Sequence, residues 1–279
     1  MEIRINDKKL DAKPDNEKTV GDVLASLEQW LENSGHRLSG ISIDGQNINV
    51  SMIEEIFSRE IDTIEYLDLY TNVVAELAAT SLINLLEDIK EYESLNFEEK
   101  TNFFDKWKES ASAAFISSEM ADLFSLCSNT FSGGDISSSD LFSITEERLR
   151  EVKNPSEEFA KIEPLVNEIC ERLVNFPLDI QTGKDRIASQ TIQVFSGVTE
   201  KIFRTFKQLD SQGLLEQTDN KKPLTQQFTS FGKLLREFLE AYEKNDFVLV
   251  GDIAEYETSP KLKEFYSSIQ KAIKIQGKK

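Results

Sequence analysis

The chain opens with short alternating segments and closes with long helical periodicities, and the change falls near Tyr70. Ile3 and Ile5 alternate with polar residues, Asn6-Asp7 offers turn chemistry, and Leu10 and Ala12 resume the alternation, which predicts a β-hairpin. Thr19 with Asp22 three residues on marks a helix start. Val20, Val23, Leu24, Leu27, Trp30 and Leu31 then recur on one face until residues 33–35 stop it. Ile41 and Ile43 lead into Asp44-Gly45, a two-residue hairpin signal, with Ile48 on the return. A short helical turn is expected within residues 52–57, and residues 63–70 read as a last strand that points Leu67 and Leu69 to the core.

Beyond residue 72 the spacing becomes helical. Val74, Ala78, Leu82, Leu85, Ile89 and Tyr92 step by fours and threes. Asn96 with Glu99 predicts a capped helix whose aromatic face, Phe103, Phe104, Trp107 and Phe115, continues through Met120, Leu123 and Cys127. Residues 128–139, with Gly133-Gly134 and five serines, are expected to form a flexible loop, after which Ser143 and Glu146 restart a helix. Asn154-Pro155 begins another, and its face from Phe159 to Leu173 crosses Pro164, predicting a kink there and an end before Pro177. Thr182 and Asp185 are expected to cap a long helix, Pro223 to open the next, and Ser259-Pro260 to start the last. The run from Phe247 to Gly251 is assigned to a buried helix on grounds of length.

Hairpin, helix, hairpin, short helix and strand is the order of a β-grasp domain, in which a mixed sheet wraps one helix. The expected fold class is therefore α+β, with a β-grasp domain over residues 1–71 and a helical bundle over 72–279. Through Ile3-Arg4-Ile5-Asn6, Thr19-Val20-Gly21-Asp22-Val23-Leu24 and Ile43-Asp44-Gly45-Gln46, the first segment resembles the sulfur-carrier branch of the ubiquitin-like superfamily. In those carriers the last strand ends in a free Gly-Gly whose carboxylate is activated. Here Tyr70 is followed by Thr71-Asn72-Val73-Val74, and Gln276-Gly277-Lys278-Lys279 does not restore the motif. The resemblance thus implies a binding sheet without the carrier's chemistry. By the two-residue period Tyr66, Asp68 and Tyr70 lie on the face opposite Leu67 and Leu69, and they are the candidate partner-binding residues.

Charge narrows the possible partners. The net charge is −18, and it is uneven: residues 1–182 hold 16 Lys and Arg against 37 Asp and Glu, a net of −21, whereas 183–279 hold 16 against 13, a net of +3. Such an acidic surface repels phosphate backbones, so no nucleic-acid partner is expected. No apolar run approaches a membrane span, the first residues lack a signal-peptide pattern, and the two cysteines, Cys127 and Cys170, fall on apolar helical positions. A cytoplasmic protein with reduced, buried thiols is the expectation.

Catalytic sets are hard to assemble from this composition. The single histidine, His36, in a Ser-Gly-His context, reads as a solvated loop residue and cannot by itself build a zinc or di-iron site, so no metal or cofactor is expected. Gln181-Thr182-Gly183-Lys184-Asp185 lacks the first glycine and the closing Ser or Thr of a phosphate loop. Thr182, Gly183 and Lys184 remain a candidate anion site at a helix N-terminus. The acidic clusters Glu87-Asp88, Glu91, Glu93, Glu98-Glu99 and Glu146-Glu147 read as solvated helix faces. The expected function is a non-catalytic interaction protein: adaptor, regulator or assembly factor. An enzyme working through carboxylates or the anion site is one alternative. The other is a self-assembling structural protein, dimerising through the heptad-like face of Leu224, Phe228, Phe231, Leu235 and Phe238.

Overall fold

The computed structural model describes residues 1–10, 17–48, 56–215, 224–244 and 246–276. It has the α+β character expected, a mixed sheet followed by helices, and it divides into two compact units, Met1–Leu149 and Arg150–Lys279. The first unit takes in the sheet and the helices that follow it, so its limit falls well beyond residue 71. The whole net charge sits there. Residues 1–149 hold 12 Lys and Arg against 30 Asp and Glu, a net of −18, and residues 150–279 hold 20 against 20.

In the first unit, β1 (Glu2–Ile5) and β2 (Lys8–Lys9) form a hairpin whose two turn residues, Asn6 and Asp7, adopt φ of 48° and 63°. Helix α1 (Val20–Asn33) begins with a reciprocal cap: Asp22 N–H donates to Thr19 Oγ1 at 3.2 Å and Thr19 N–H to Asp22 Oδ2 at 3.0 Å. Strands β3 (His36–Ile43) and β4 (Gln46–Asn47) turn at Asp44 and Gly45, both at positive φ as a tight hairpin turn requires. Strand β5 (Tyr66–Val73) then enters the middle of the sheet, parallel to β1 and antiparallel to β3, giving the order β2-β1-β5-β3-β4. Ile3, Val20, Val23, Leu24, Ile43, Leu67 and Leu69 share one buried cluster, so the sheet closes on α1 in the β-grasp manner. Ala12 and residues 52–55, which sequence periodicity assigned to a strand and a short helix, lie outside the described residues.

Two turn side chains pin this sheet. Asn6 Oδ1 accepts from Thr71 N–H at 2.9 Å, and Asp44 Oδ1 accepts from the N–H groups of Glu65 and Tyr66 at 2.9 and 2.8 Å. Each hairpin is thereby fastened to the central strand. Helix α2 (Val74–Ser94) follows β5 without a loop, and Val74 N–H donates to Gly35 C=O at 3.0 Å. Ala78, Leu82, Leu85, Ile89 and Tyr92 are buried along it, as their spacing predicts.

The single aromatic helix expected next is broken into four: α3 (Phe97–Thr101), α4 (Phe103–Trp107), α5 (Ala111–Glu119) and α6 (Ala121–Phe131). Asn96 and Glu99 form the predicted capping box of α3, and Ser110 Oγ accepts from Ala113 N–H to begin α5. The bends let Tyr92, Phe103, Trp107 and Phe131 meet at ring-centroid distances of 4.9–5.2 Å, which a straight rod would not permit. The expected loop over 128–139 shrinks to residues 132–137, because α7 (Ser138–Lys153) starts five residues earlier than Ser143. Asn129 spans that connection, accepting from Ile136 N–H and donating to Asp135.

The regular elements among the described residues of the second unit are all helices. After α8 (Pro155–Ala160) the chain breaks at Lys161 and Ile162, and α9 (Glu163–Gln181) restarts with Pro164 in its first turn. That proline starts a helix where a kink was expected, since a first-turn N–H has no partner to lose. Pro177, expected past the helix end, lies inside it. Helices α10 (Asp185–Ser211), α11 (Leu224–Glu243) and α12 (Phe247–Asp252) follow, and α12 passes through a π-turn (Ile253–Thr258) into α13 (Ser259–Gln276). Ser259-Pro260 therefore continues a helix. Without an N–H at Pro260 the regular pattern cannot pass, and Ser259 N–H reaches back five residues to Ala254 C=O. Pro223, the expected helix opener, lies outside the described residues, as do Gly277, Lys278 and Lys279.

Candidate functional site

The candidate residues on the face of the sheet opposite its buried cluster come from β1, β2 and β5, with β3 pairing alongside β5. Leu67 and Leu69 are fully buried, so strand alternation turns Tyr66, Asp68 and Tyr70 outward, as expected. Tyr70 lies across Gly40 of β3, where even a Cβ would meet Tyr70 Cδ2 at 3.4 Å, an ordinary van der Waals contact. Tyr66 is covered differently. The Arg4 guanidinium stands 4.3 Å from its ring centroid, a cation–π contact. Arg4 Nε also donates to Glu2 Oε1 at 2.8 Å, and Arg4 Nη1 is 3.9 Å from Asp68 Oδ1. Lys9 Nζ completes the group at 2.7 Å from Glu2 Oε2.

These contacts set the charge of the face. The hydrogen bonds from Lys9 and Arg4 hold the Glu2 carboxyl below the usual carboxylate range, and the bond to Glu2 raises the Arg4 guanidinium. The result is a fixed, internally neutralised polar surface with an arginine laid flat on a tyrosine. Sequence reasoning missed Glu2, Arg4 and Lys9. The alternation of β1 carried a signal for the first two, but only the parallel register, Glu2 opposite Tyr66 and Arg4 opposite Asp68, brings them to the site.

The other candidate residues fall elsewhere. Thr182 does not cap α10: its hydroxyl donates to Leu178 C=O at 2.7 Å, at the end of α9, and Lys184 occupies the N-cap position. Gly183, at φ 70°, ends α9 with the paired reverse bonds of a left-handed glycine cap, Gly183 N–H to Ile180 C=O and Lys184 N–H to Asp179 C=O. The Lys184 ammonium is 3.1 Å from Asp179 Oδ1. The three groups proposed for an anion are thus engaged in closing one helix. Of the dimer-face residues, Phe231 and Phe238 are buried, and Leu224 and Leu235 pack partly buried on the same core. Phe228 stacks on Phe206 at 5.4 Å. The heptad spacing is spent inside the unit, because α10 and α13 supply the apolar surface that a second copy was expected to provide.

His36 opens strand β3, opposite Val73, where a loop was expected, and its Nδ1 lies 2.9 Å from Ser34 C=O. Among the acidic clusters, Asp88 is drawn inward and accepts from Trp107 Nε1–H at 3.0 Å, while Glu87, Glu91, Glu93, Glu98 and Glu99 are exposed. Among the described residues no group of three or more His, Cys, Asp or Glu is placed to hold a metal ion, and no helix is long and apolar enough to cross a membrane.

Two family models match the chain. One, described as the TP0873 N-terminal domain, covers residues 1–72 and so takes in the sheet and α1; the other, a domain of unknown function (DUF8042), covers residues 157–268, from α8 into α13. No curated protein and no solved structure matches the chain.

Proposed function

We propose that this chain is a cytoplasmic, non-catalytic protein-interaction module, an adaptor, regulator or assembly factor, in which a ubiquitin-like β-grasp kept for its sheet face is followed by helices. The observation that carries this reading is the outward face of Tyr66, Asp68 and Tyr70, with Arg4 held over Tyr66. Tyrosine and arginine presented rigidly supply contact area at low entropic cost, the combination that protein interfaces favour. A second support is the end of β5. In the sulfur carriers the corresponding strand end is free and reactive, whereas here Val74 N–H is bonded to Gly35 C=O and the backbone continues as α2.

The test is retention of binding partners by the full chain from its native host, compared with a Tyr66→Ala/Tyr70→Ala variant. Loss of a partner that the parent retains, at an unchanged melting temperature, is the expected result. A variant that keeps both its stability and every partner overturns the docking role of this face.

A further inference from the structure

Asp44-Gly45 is the one Asp-Gly or Asn-Gly pair in the chain. An aspartate followed by glycine is chemically labile, because no side chain shields the glycine nitrogen from the neighbouring carboxyl carbon. The pair forms the turn between β3 and β4, and both residues are exposed. Gly45 sits at φ 82° with open space where a Cβ would point, so nothing crowds its nitrogen from that side.

The fold holds the carboxyl away from that nitrogen. Asp44 Oδ1 accepts from the N–H groups of Glu65 and Tyr66 at 2.9 and 2.8 Å, and Arg59 Nη2 stands 3.9 Å from Oδ2. Asp44 N–H donates in turn to Tyr66 C=O at 3.0 Å. Side chain and backbone of Asp44 are thus both tied to the start of β5. Closing a five-membered ring onto the next residue must draw the carboxyl carbon off those donors. Two hydrogen bonds to a carboxylate make the released turn a minor state.

We propose that Asp44-Gly45 is a site of spontaneous isoaspartate formation, gated by the hold of Asp44 on Glu65 and Tyr66. With the hold released, the Gly45 nitrogen attacks the side-chain carboxyl carbon of Asp44. A C–N bond forms, and the carboxyl hydroxyl leaves with the amide proton as water. The cyclic imide then takes a water back at either carbonyl. Hydrolysis at the side-chain carbonyl restores aspartate, whereas hydrolysis at the main-chain carbonyl breaks the original peptide bond and routes the chain through the side chain, one methylene longer. No other reactant is needed. The extra methylene is incompatible with the two-residue turn that sets Ile43 opposite Gln46, so the converted chain cannot rebuild the hold on β5. This site does not depend on the docking role of the sheet.

The test incubates the full chain at neutral pH, native and in guanidinium chloride, and locates isoaspartate by electron-transfer fragmentation of the tryptic peptide 38–59. Isoaspartate should accumulate at residue 44 in the denatured chain and at least about tenfold more slowly in the native one. Glu65→Pro deletes one of the two donors but keeps the carbonyl that Glu2 N–H uses, and Ile64 before it already has the extended φ of −121° and ψ of 132° that a following proline needs. Where circular dichroism shows this variant folded, conversion in native buffer should quicken severalfold. A parent chain converted in denaturant and refolded should lose hydrogen-exchange protection at the Glu65 and Tyr66 N–H groups, while Thr71 N–H, held by Asn6, keeps its own. Equal rates in the native and denatured parent, or no isoaspartate at residue 44 in the denatured one, overturn the proposal. So does a folded Glu65→Pro chain as slow as the parent, or a converted chain that regains protection at Glu65 and Tyr66.

Discussion

Arg204 donates two parallel hydrogen bonds to Glu151, from Nε to Oε2 and from Nη2 to Oε1, each 3.0 Å long. Glu151 is buried, while a quarter of the Arg204 side chain still meets solvent. That asymmetry makes the two ends of the pair unequal. Arg204→Met takes both of these hydrogen bonds from a buried carboxylate and should cost about 3 kcal/mol, the upper end for hydrogen bonds to a charged group. Glu151→Gln leaves an arginine that can turn to water, and should cost about 1–2 kcal/mol. The double variant Glu151→Leu/Arg204→Met should recover most of the loss. Urea melts followed by far-UV circular dichroism would measure all three, and equal losses for the two single variants would contradict the argument.

Gly251 and Pro177 make a second coupled pair. A Cβ at Gly251 would come within 3.1 Å of Pro177 Cβ, tighter than ordinary van der Waals contact, so the proline would have to give by a few tenths of an ångström, which a ring held inside a helix resists. Gly251→Ala should therefore destabilise the second unit by about 1–2 kcal/mol, although alanine is the better helix former. In a Pro177→Ala background the same change should become neutral or favourable. A Gly251→Ala effect that is the same in both backgrounds would rule out this contact as its cause.

Much of the sheet was legible in the sequence because its signals are local. Asn6-Asp7 and Asp44-Gly45 name the turns, and period-two alternation assigns Leu67 and Leu69 inward. The Asn96–Glu99 capping box was equally readable. What escaped depends on distant partners. Arg4 reaches Tyr66 only because β1 pairs in parallel with a strand some sixty residues away. Spacing identified the apolar face of Leu224 to Phe238 but not what covers it, and α10 and α13 cover it. Breaks at Asn102 and Met120 carry neither Gly nor Pro, so an apolar pattern that continues across them looked like one helix. Pro164 and Pro177 were read alike as disruptions, whereas one lies in a first turn and the other is carried inside the helix against Gly251.

Both thiols should be inert in the folded chain. Burial pushes the Cys127 thiol up to about 12 and raises that of Cys170, whose Sγ donates to Ser259 C=O at 3.6 Å while Ser259 Oγ donates to Cys170 C=O at 3.2 Å. The thiolate is the reactive form, so at mildly alkaline pH neither should react with a disulfide reagent until the protein is denatured, when both should. Stoichiometric reaction of the native chain would show that one of these helices opens readily.

Asp88 and Trp107 give the first unit a pH response with a definite sign. Burial raises the Asp88 carboxyl above its ordinary value, Glu91 and Glu87 add to the rise, and the bond from Trp107 Nε1–H opposes it. The folded chain therefore holds a proton on Asp88 at pH values where the unfolded chain has released it. Stability must fall as pH rises through the window between the unfolded value and the raised folded one, because the native state there binds more protons. Above that window the charged carboxylate is a standing cost, and below it the cost is gone. Asp88→Asn keeps an oxygen acceptor for the indole and removes the charge, so it should raise the melting temperature at neutral pH and lose that advantage on acidification. Fluorescence of a Trp30→Phe variant, which isolates Trp107, should titrate over the same window and lose that titration when Asp88→Asn is added. A neutral-pH melting temperature that Asp88→Asn lowers would mean the carboxylate stabilises the fold, against the burial argument.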